Sequence, residues 1–216
     1  MVMAETSRAE IVAIGQNMMQ LGLVAGTWGN ISMRVPNSAY IAITPSGMDY
    51  LSLVPENIVI LDLAGNIIDG ANIPSSETKL HLAVYLKRSD VNAIVHTHSV
   101  YASACAVANK PIPPIIEDLV QMVGGSVDVA PYALPGTQAV ADNAVKALAQ
   151  KFAVLLESHG VVGVGSNLKD AFTVCTLVEK SAQIFINAQI LGGAKILSDD
   201  DVELMHHYFK EKYGQK

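Results

Sequence analysis

The apolar positions along the chain follow two periods that alternate. Near the N-terminus Ile11, Ile14, Met18 and Leu21 recur at helical spacing behind Ser7-x-x-Glu10, which reads as a capping box. A helix is therefore expected over residues 7–22, ended by Gly22 and Gly26. Strand patterns follow: residues 31–34 and 40–44 predict a pair across Pro36-Asn37-Ser38, and NIVILDL at 57–63 predicts a strand that turns at Ala64-Gly65-Asn66 into Ile67-Ile68. Ser75 and Ser76 can cap a helix from Glu77 to about Lys87, and the apolar run at 92–96 predicts a buried strand.

The second half repeats the mixture. A small apolar helix is expected over 100–108, a loop over 110–116 because of its three prolines, and a short strand over 126–130. Thr137 caps a helix to about Gln150, and strands at 153–156 and 161–164 are separated by Ser158-His159-Gly160. A long helix over 168–191 stops at Gly192-Gly193. Ser198 opens a last helix whose first turn, Asp199-Asp200-Asp201, suits the helix dipole. With no internal repeat and no linker, residues 1–216 are expected to form one α/β/α domain around a mixed sheet.

Composition narrows the partners. Half of the 216 residues are hydrophobic and 16% are charged, which is the balance of a folded domain with a real core. The net charge of −6 argues against a nucleic-acid backbone as ligand. A small anion stays open, since a metal ion and a few N–H groups can make a local positive site. No apolar stretch reaches 18 residues and the N-terminus lacks an apolar leader, so neither a membrane span nor export is expected and the cytoplasm is the expected compartment. Cys105 and Cys175, far apart among apolar neighbours, read as two buried thiols.

Four short segments carry the candidate chemistry. His96-Thr97-His98 follows the buried strand, so both imidazoles point to one face. His159, followed by a glycine, offers a third. Three histidines with a position left open is the pattern of a catalytic zinc site, but spacing alone leaves a pair of partly buried histidines equally open. Ser75-Ser76-Glu77 places hydroxyls, free N–H groups and a carboxylate at a helix start, where an oxyanion is welcome. Gly26-Thr27-Trp28-Gly29-Asn30 and Thr44-Pro45-Ser46-Gly47 are turns whose N–H groups can cradle an anion or simply turn the chain. His81, one helical turn after Glu77, reads as a supporting or core residue, and His206 and His207 as surface or interface residues.

Taken together, GTWGNIS, ITPSGM, PSSE, VHTHS and ESHG, in this order and at these distances, resemble the class II aldolase family. The likeness runs from about residue 7 to the last helix and is greatest to the fuculose-phosphate aldolase group. It implies a three-layer α/β/α sandwich with a mainly antiparallel sheet. It implies metal ligands at His96, His98 and His159, with Glu77 as acid/base and, without substrate, a further ligand. It implies a phosphate pocket of Gly29, Asn30, Ser46, Gly47, Ser75 and Ser76. The expected ion is Zn²⁺, with Mn²⁺ or Co²⁺ as substitutes, and the expected assembly is a homotetramer with active sites between subunits. One departure stands out: the stretch PPIIEDLVQMVGG has no tyrosine where the family has one. Glu117 and Asp118 occupy that neighbourhood, and Tyr213 lies near the family's second tyrosine.

The reaction this implies is metal-dependent, reversible cleavage of a ketose 1-phosphate to dihydroxyacetone phosphate and an aldehyde. Other reactions of the same site stay open: sugar-phosphate 4-epimerisation, methylthioribulose-phosphate dehydration and sugar-acid phosphate decarboxylation. A non-catalytic binding domain of the same fold is the contrasting class, disfavoured because the histidines and Glu77 are all present.

Overall fold

The computed structural model describes residues 2–212. Its strands are β1 (Asn30–Arg34), β2 (Tyr40–Ile43), β3 (Val59–Asp62), β4 (Ile67–Asp69), β5 (Ala93–Thr97), β6 (Asp128–Ala130), β7 (Ala153–Leu156) and β8 (Gly160–Gly165). They form one sheet in the order β4-β3-β2-β1-β5-β8-β7-β6. Every neighbouring pair is antiparallel except β6 with β7. The helices are α1 (Val2–Gln20), α2 (Thr78–Lys87), α3 (Val100–Val107), α4 (Glu117–Val123), α5 (Gln138–Leu148), α6 (Leu168–Ile190) and α7 (Asp199–Lys212).

Strand periodicity sorts the core into layers. In β5, Ile94 packs among Leu80, Val84 and Tyr85 of α2 and Ala141, Ala144 and Leu148 of α5. Its neighbours Ala93 and Val95 point the other way, toward Ile11 and Met18 of α1 and Leu168, Ala171 and Cys175 of α6. A third cluster joins α3, α4 and α6 to Ala153, Leu155 and Val161. The result is the expected three-layer sandwich with a mainly antiparallel sheet.

Two local expectations need correction. Ser7-x-x-Glu10 is not a helix start: α1 begins at Val2, and Ser7 lies inside it, buried. The apolar spacing marked the helix correctly, but residues 2–6 tolerate helix as well and extend it. Ser75 and Ser76 precede the cap position of α2, which is Glu77 itself. Ser75 Oγ instead accepts the Glu77 N–H in a tight turn (3.2 Å). Beyond these, Glu117–Val123 forms a helix for which no expectation was stated, its short length having concealed it. Thr137 does cap α5, accepting from the Val140 N–H. Cys105 and Cys175 are free and buried, and burial pushes their thiols up to about 11 and about 12.

Candidate active site

The centre of the sheet brings the chemistry together. Cross-strand register sets Asn30 of β1 opposite His96 of β5, and Ser32 opposite Ile94, so all four side chains face α2. His98 follows two residues after His96, just past the strand end. His159 comes from the turn between β7 and β8, where its N–H donates to the Leu156 carbonyl (3.0 Å) and Ser158 adopts a left-handed φ of 57°. Gly160 is required there, because a Cβ at this position would collide with the Thr97 carbonyl oxygen. Gly29 is constrained twice: its φ is +82°, and a Cβ would lie 2.7 Å from the His96 carbonyl oxygen.

The three imidazoles pack edge to face with centroids 4.7 to 4.8 Å apart. His96 Nδ1–H donates to the Val161 carbonyl (2.9 Å), which turns Nε2 toward the cluster. That Nε2 lies 2.9 Å from His98 Nε2 and 3.3 Å from His159 Nε2. Ligand nitrogens on a tetrahedral zinc at its usual bond length sit roughly 3.3 Å apart. Glu77 closes the group, with Oε2 3.2 Å from His96 Nε2 and Oε1 3.6 Å from His159 Nε2. All four ligand atoms lie within 4.8 Å of one another. Glu77 Oε1 is buried and makes no hydrogen bond among the described residues. Converging ring nitrogens beside an unpartnered carboxylate oxygen are costly to bury unless a cation is meant to sit between them, so this donor set fits a divalent metal ion.

The electrostatics agree. Burial raises the Glu77 carboxyl, but the charge and hydrogen bond of His96, the charge of His159 and the Asn30 amide outweigh it and hold the group well below the usual carboxylate range. Burial opposes charge on His96 too, yet Glu77 and the Val161 carbonyl raise it above the ordinary histidine value. Burial and then the charge of His96 push His98 down to about 3 and His159 to about 4. The cluster thus favours one centre of positive charge and rejects a second proton.

A cavity of about 630 Å³ opens over the group. Gly29, Asn30, Ser46, Gly47, Ser75 and Ser76 all line it, together with Glu77, His98 and His159. His96 is fully buried behind them. The Asn30 side chain is already engaged, donating from Nδ2 to Glu77 Oε2 (2.8 Å) and facing His81 Nε2 with Oδ1 (2.5 Å). The Ser46 N–H is likewise committed to the Ile73 carbonyl. Glu117 and Asp118 are not in this cavity; they line another with Ile115, Ile116 and Leu197, and Asp118 pairs with Lys180. Tyr213 lies outside the described residues. His206 docks α7 on α4 through the Gln121 carbonyl, and His207 is exposed. Two lining residues lie outside the motifs read from the sequence, Ala25 and Pro135; within them, the Trp28 ring stacks 6.0 Å from that of His98. Ala25 adjoins the first of those motifs, whereas only the fold brings Pro135 across.

The family model for the class II aldolase and adducin N-terminal domain matches residues 9–186. The chain belongs to that family. It is 41% identical, over the full length of both chains, to 5-deoxy-D-ribulose 1-phosphate aldolase of Bacillus thuringiensis serovar kurstaki. It is 35% identical to L-fuculose phosphate aldolase of Escherichia coli K12, covering 95% of this chain and 94% of that one. A solved structure of L-fuculose 1-phosphate aldolase superposes with a TM-score of 0.92 at 36% identity, over 95% of this chain and 96% of the other.

Proposed function

We propose that this class II aldolase cleaves a ketose 1-phosphate reversibly into dihydroxyacetone phosphate and an aldehyde, with 5-deoxyribulose 1-phosphate and fuculose 1-phosphate as the first substrates to try. The observation that carries this reading is the convergence of three imidazole nitrogens and a carboxylate at a cavity that Ser46, Gly47, Ser75 and Ser76 also line. His96, His98 and His159 hold the ion, with Glu77 as an added ligand when no substrate is bound. Zn²⁺ suits three neutral imidazoles, and Mn²⁺ or Co²⁺ would substitute. When bound, the ion supplies a Lewis acid that draws charge onto the ketose carbonyl oxygen.

The chain's own groups do the rest. Donors around Gly29, Asn30, Ser46, Gly47, Ser75 and Ser76 hold the phosphate and so fix the ketose against the metal wall. As the bond between carbons 3 and 4 breaks, its electron pair stays with carbon 3, and Glu77 delivers a proton there. In the synthetic direction Glu77 removes the same proton. The hydroxyl proton on carbon 4 leaves to a second group, for which Tyr213 is our assignment. Glu117 and Asp118 are the alternatives, offered by a neighbouring copy in a cytoplasmic homotetramer.

Release of dihydroxyacetone phosphate from a panel of ketose 1-phosphates, coupled to NADH oxidation, tests the activity. We expect turnover of at least one of the two named substrates, about one ion per chain, and loss of both in His96→Ala. A fully metal-loaded protein that releases no dihydroxyacetone phosphate from any member of the panel would overturn the reading.

A further inference from the structure

Five buried side chains stand in file from the core to the cavity. The Tyr85 hydroxyl lies 2.8 Å from Ser32 Oγ, and Ser32 Oγ lies 2.6 Å from His81 Nδ1. His81 Nε2 lies 2.5 Å from Asn30 Oδ1, and Asn30 Nδ2 lies 2.8 Å from Glu77 Oε2. All five are buried, His81 and Ser32 completely. The file stitches β1, which supplies Asn30 and Ser32, to α2, which supplies His81 and Tyr85, and ends on the residue that caps α2.

The direction of every hydrogen bond follows from its cavity end. A carboxylate only accepts, so the Asn30 amide must turn its NH₂ to Glu77 and its oxygen to His81. That oxygen also only accepts, so His81 carries its proton on Nε2. His81 is fully buried, and burial disfavours the charged ring, so the ring is neutral and Nδ1 is bare. The bare nitrogen must receive the Ser32 hydroxyl proton, and Ser32 Oγ then accepts from Tyr85, whose hydroxyl burial keeps protonated. One chain of four donations results, each polarising the next toward Glu77. It occupies Oε2 and leaves Oε1 as the oxygen without a partner among the described residues.

We propose that His81 is a positioning residue for the reaction: by locking the rotation of the Asn30 amide, it aims the free oxygen of Glu77 at the reacting carbon. This rests on the reading of Glu77 as the proton-transfer group. His81 touches neither substrate nor metal; it acts through Asn30. The contrasting role is purely architectural, a polar bridge that sets the packing of α2 on β1.

Exchange of the carbon-bound proton of dihydroxyacetone phosphate with solvent isolates the step, because it needs the base and no aldehyde. His81→Leu removes the donor to Asn30. We expect exchange and kcat to fall roughly 10- to 100-fold, the scale of a small misplacement of a catalytic group, with KM and metal content unchanged. His81→Gln places an amide N–H near the lost Nε2–H and should restore most of the rate. In an Asn30→Ala background, adding His81→Leu should cost less than about twofold more, because the path it acts through is already gone. Parent-like exchange in folded His81→Leu overturns the proposal, as does equal loss in the Leu and Gln variants or full additivity with Asn30→Ala. If His81→Leu does not fold, Ser32→Ala decides: it removes the hydrogen bond that holds the Nδ1 side of the His81 ring, so the ring is held less firmly against Asn30, a several-fold loss is expected and an unchanged rate overturns the proposal. Failure of the underlying reading looks different, since Glu77→Gln would then exchange the proton as fast as the parent.

Discussion

The two ends of α2 both bury charged side chains, and they are finished differently. At the C-terminal end Arg88 is buried with its donors taken up: Nε and Nη2 donate to Asp90, and Nη1 donates to the carbonyls of Ala149 (2.7 Å) and Lys151 (3.0 Å). Its guanidinium lies 5.3 Å over the Phe152 ring. At the N-terminal end Glu77 is as well buried, yet Oε1 has no hydrogen bond among the described residues and stands 3.6 Å from His159 Nε2, while Oε2 is shared between the Asn30 amide and His96. A completed network is a fastening that holds α2 against the turn between α5 and β7. An incomplete one leaves atoms that a ligand could satisfy. Burial alone does not separate the two ends; the count of satisfied partners does.

That contrast makes opposite demands on substitutions. The largest effect is expected at Glu77→Gln. The amide keeps the shape and can still accept from Asn30, but it cannot take up the substrate proton. Turnover should fall roughly 10²–10⁴-fold, about 3–5 kcal/mol in barrier height, while the melting temperature holds and the three histidines keep the metal. Steady-state kinetics with elemental analysis reads both, and a variant retaining more than a tenth of parental turnover would place the base elsewhere. Arg88→Met should do the reverse. It strips donors from two carbonyls and should cost on the order of 2–3 kcal/mol of stability. The kcat per folded, metal-loaded chain should stay within about twofold, since the distant site is untouched. Urea titration checks the first part, and a large loss of kcat without loss of stability would break the comparison.

Ser75→Asp probes the cavity wall next to Glu77. Aspartate can keep the hydrogen bond from the Glu77 N–H that Ser75 Oγ now accepts, so the turn should survive. Its charge would face the phosphate, and a repulsion of about 1.4 kcal/mol already means a tenfold rise in KM. Unchanged KM on a phosphorylated ketose would move the phosphate to another part of the cavity.

The site was far more legible in the sequence than the fastening. His96 and His98 could be read because strand periodicity forces positions two apart onto one face, and the glycine after His159 announced a close approach that Thr97 does make. The strands were legible to within a residue or two, because burial on both faces leaves long apolar runs such as NAIVH. The Arg88 network was not legible, since it joins residues some sixty positions apart through main-chain carbonyls, which carry no sequence signature. The same holds for the link from His81 to Asn30, which depends on the pairing of β1 with β5 and the seat of α2 over both. The boundary that failed, Ser7 within α1, is a place where a short-range capping signal was outweighed by packing, and α4 went unforeseen because its seven residues are too few to show a helical period.

The smallest effect sharpens the fastening end. Asp90 takes two of the Arg88 hydrogen bonds but is itself about half exposed (53%). Hydrogen bonding from Arg88 lowers its carboxyl below the ordinary 3.8; partial burial acts against this, and the charge of Arg88 adds to it. A carboxyl lowered in the folded state contributes stability above its unfolded value, and loses that contribution as pH falls through the folded value. Asp90→Asn should therefore cost something at pH 7, and the exposure limits the cost to less than about 1 kcal/mol. The gap between parent and variant should then narrow as the pH is taken from 5 toward 3, because the parent's aspartate becomes neutral like the asparagine. Arg88 keeps its two carbonyl acceptors throughout, so α2 stays anchored and kcat should not change. Urea midpoints for both proteins across that range give the measurement. A gap that widens on acidification would mean that Asp90 is not lowered, and a fall in kcat would mean that the two ends of α2 are coupled after all.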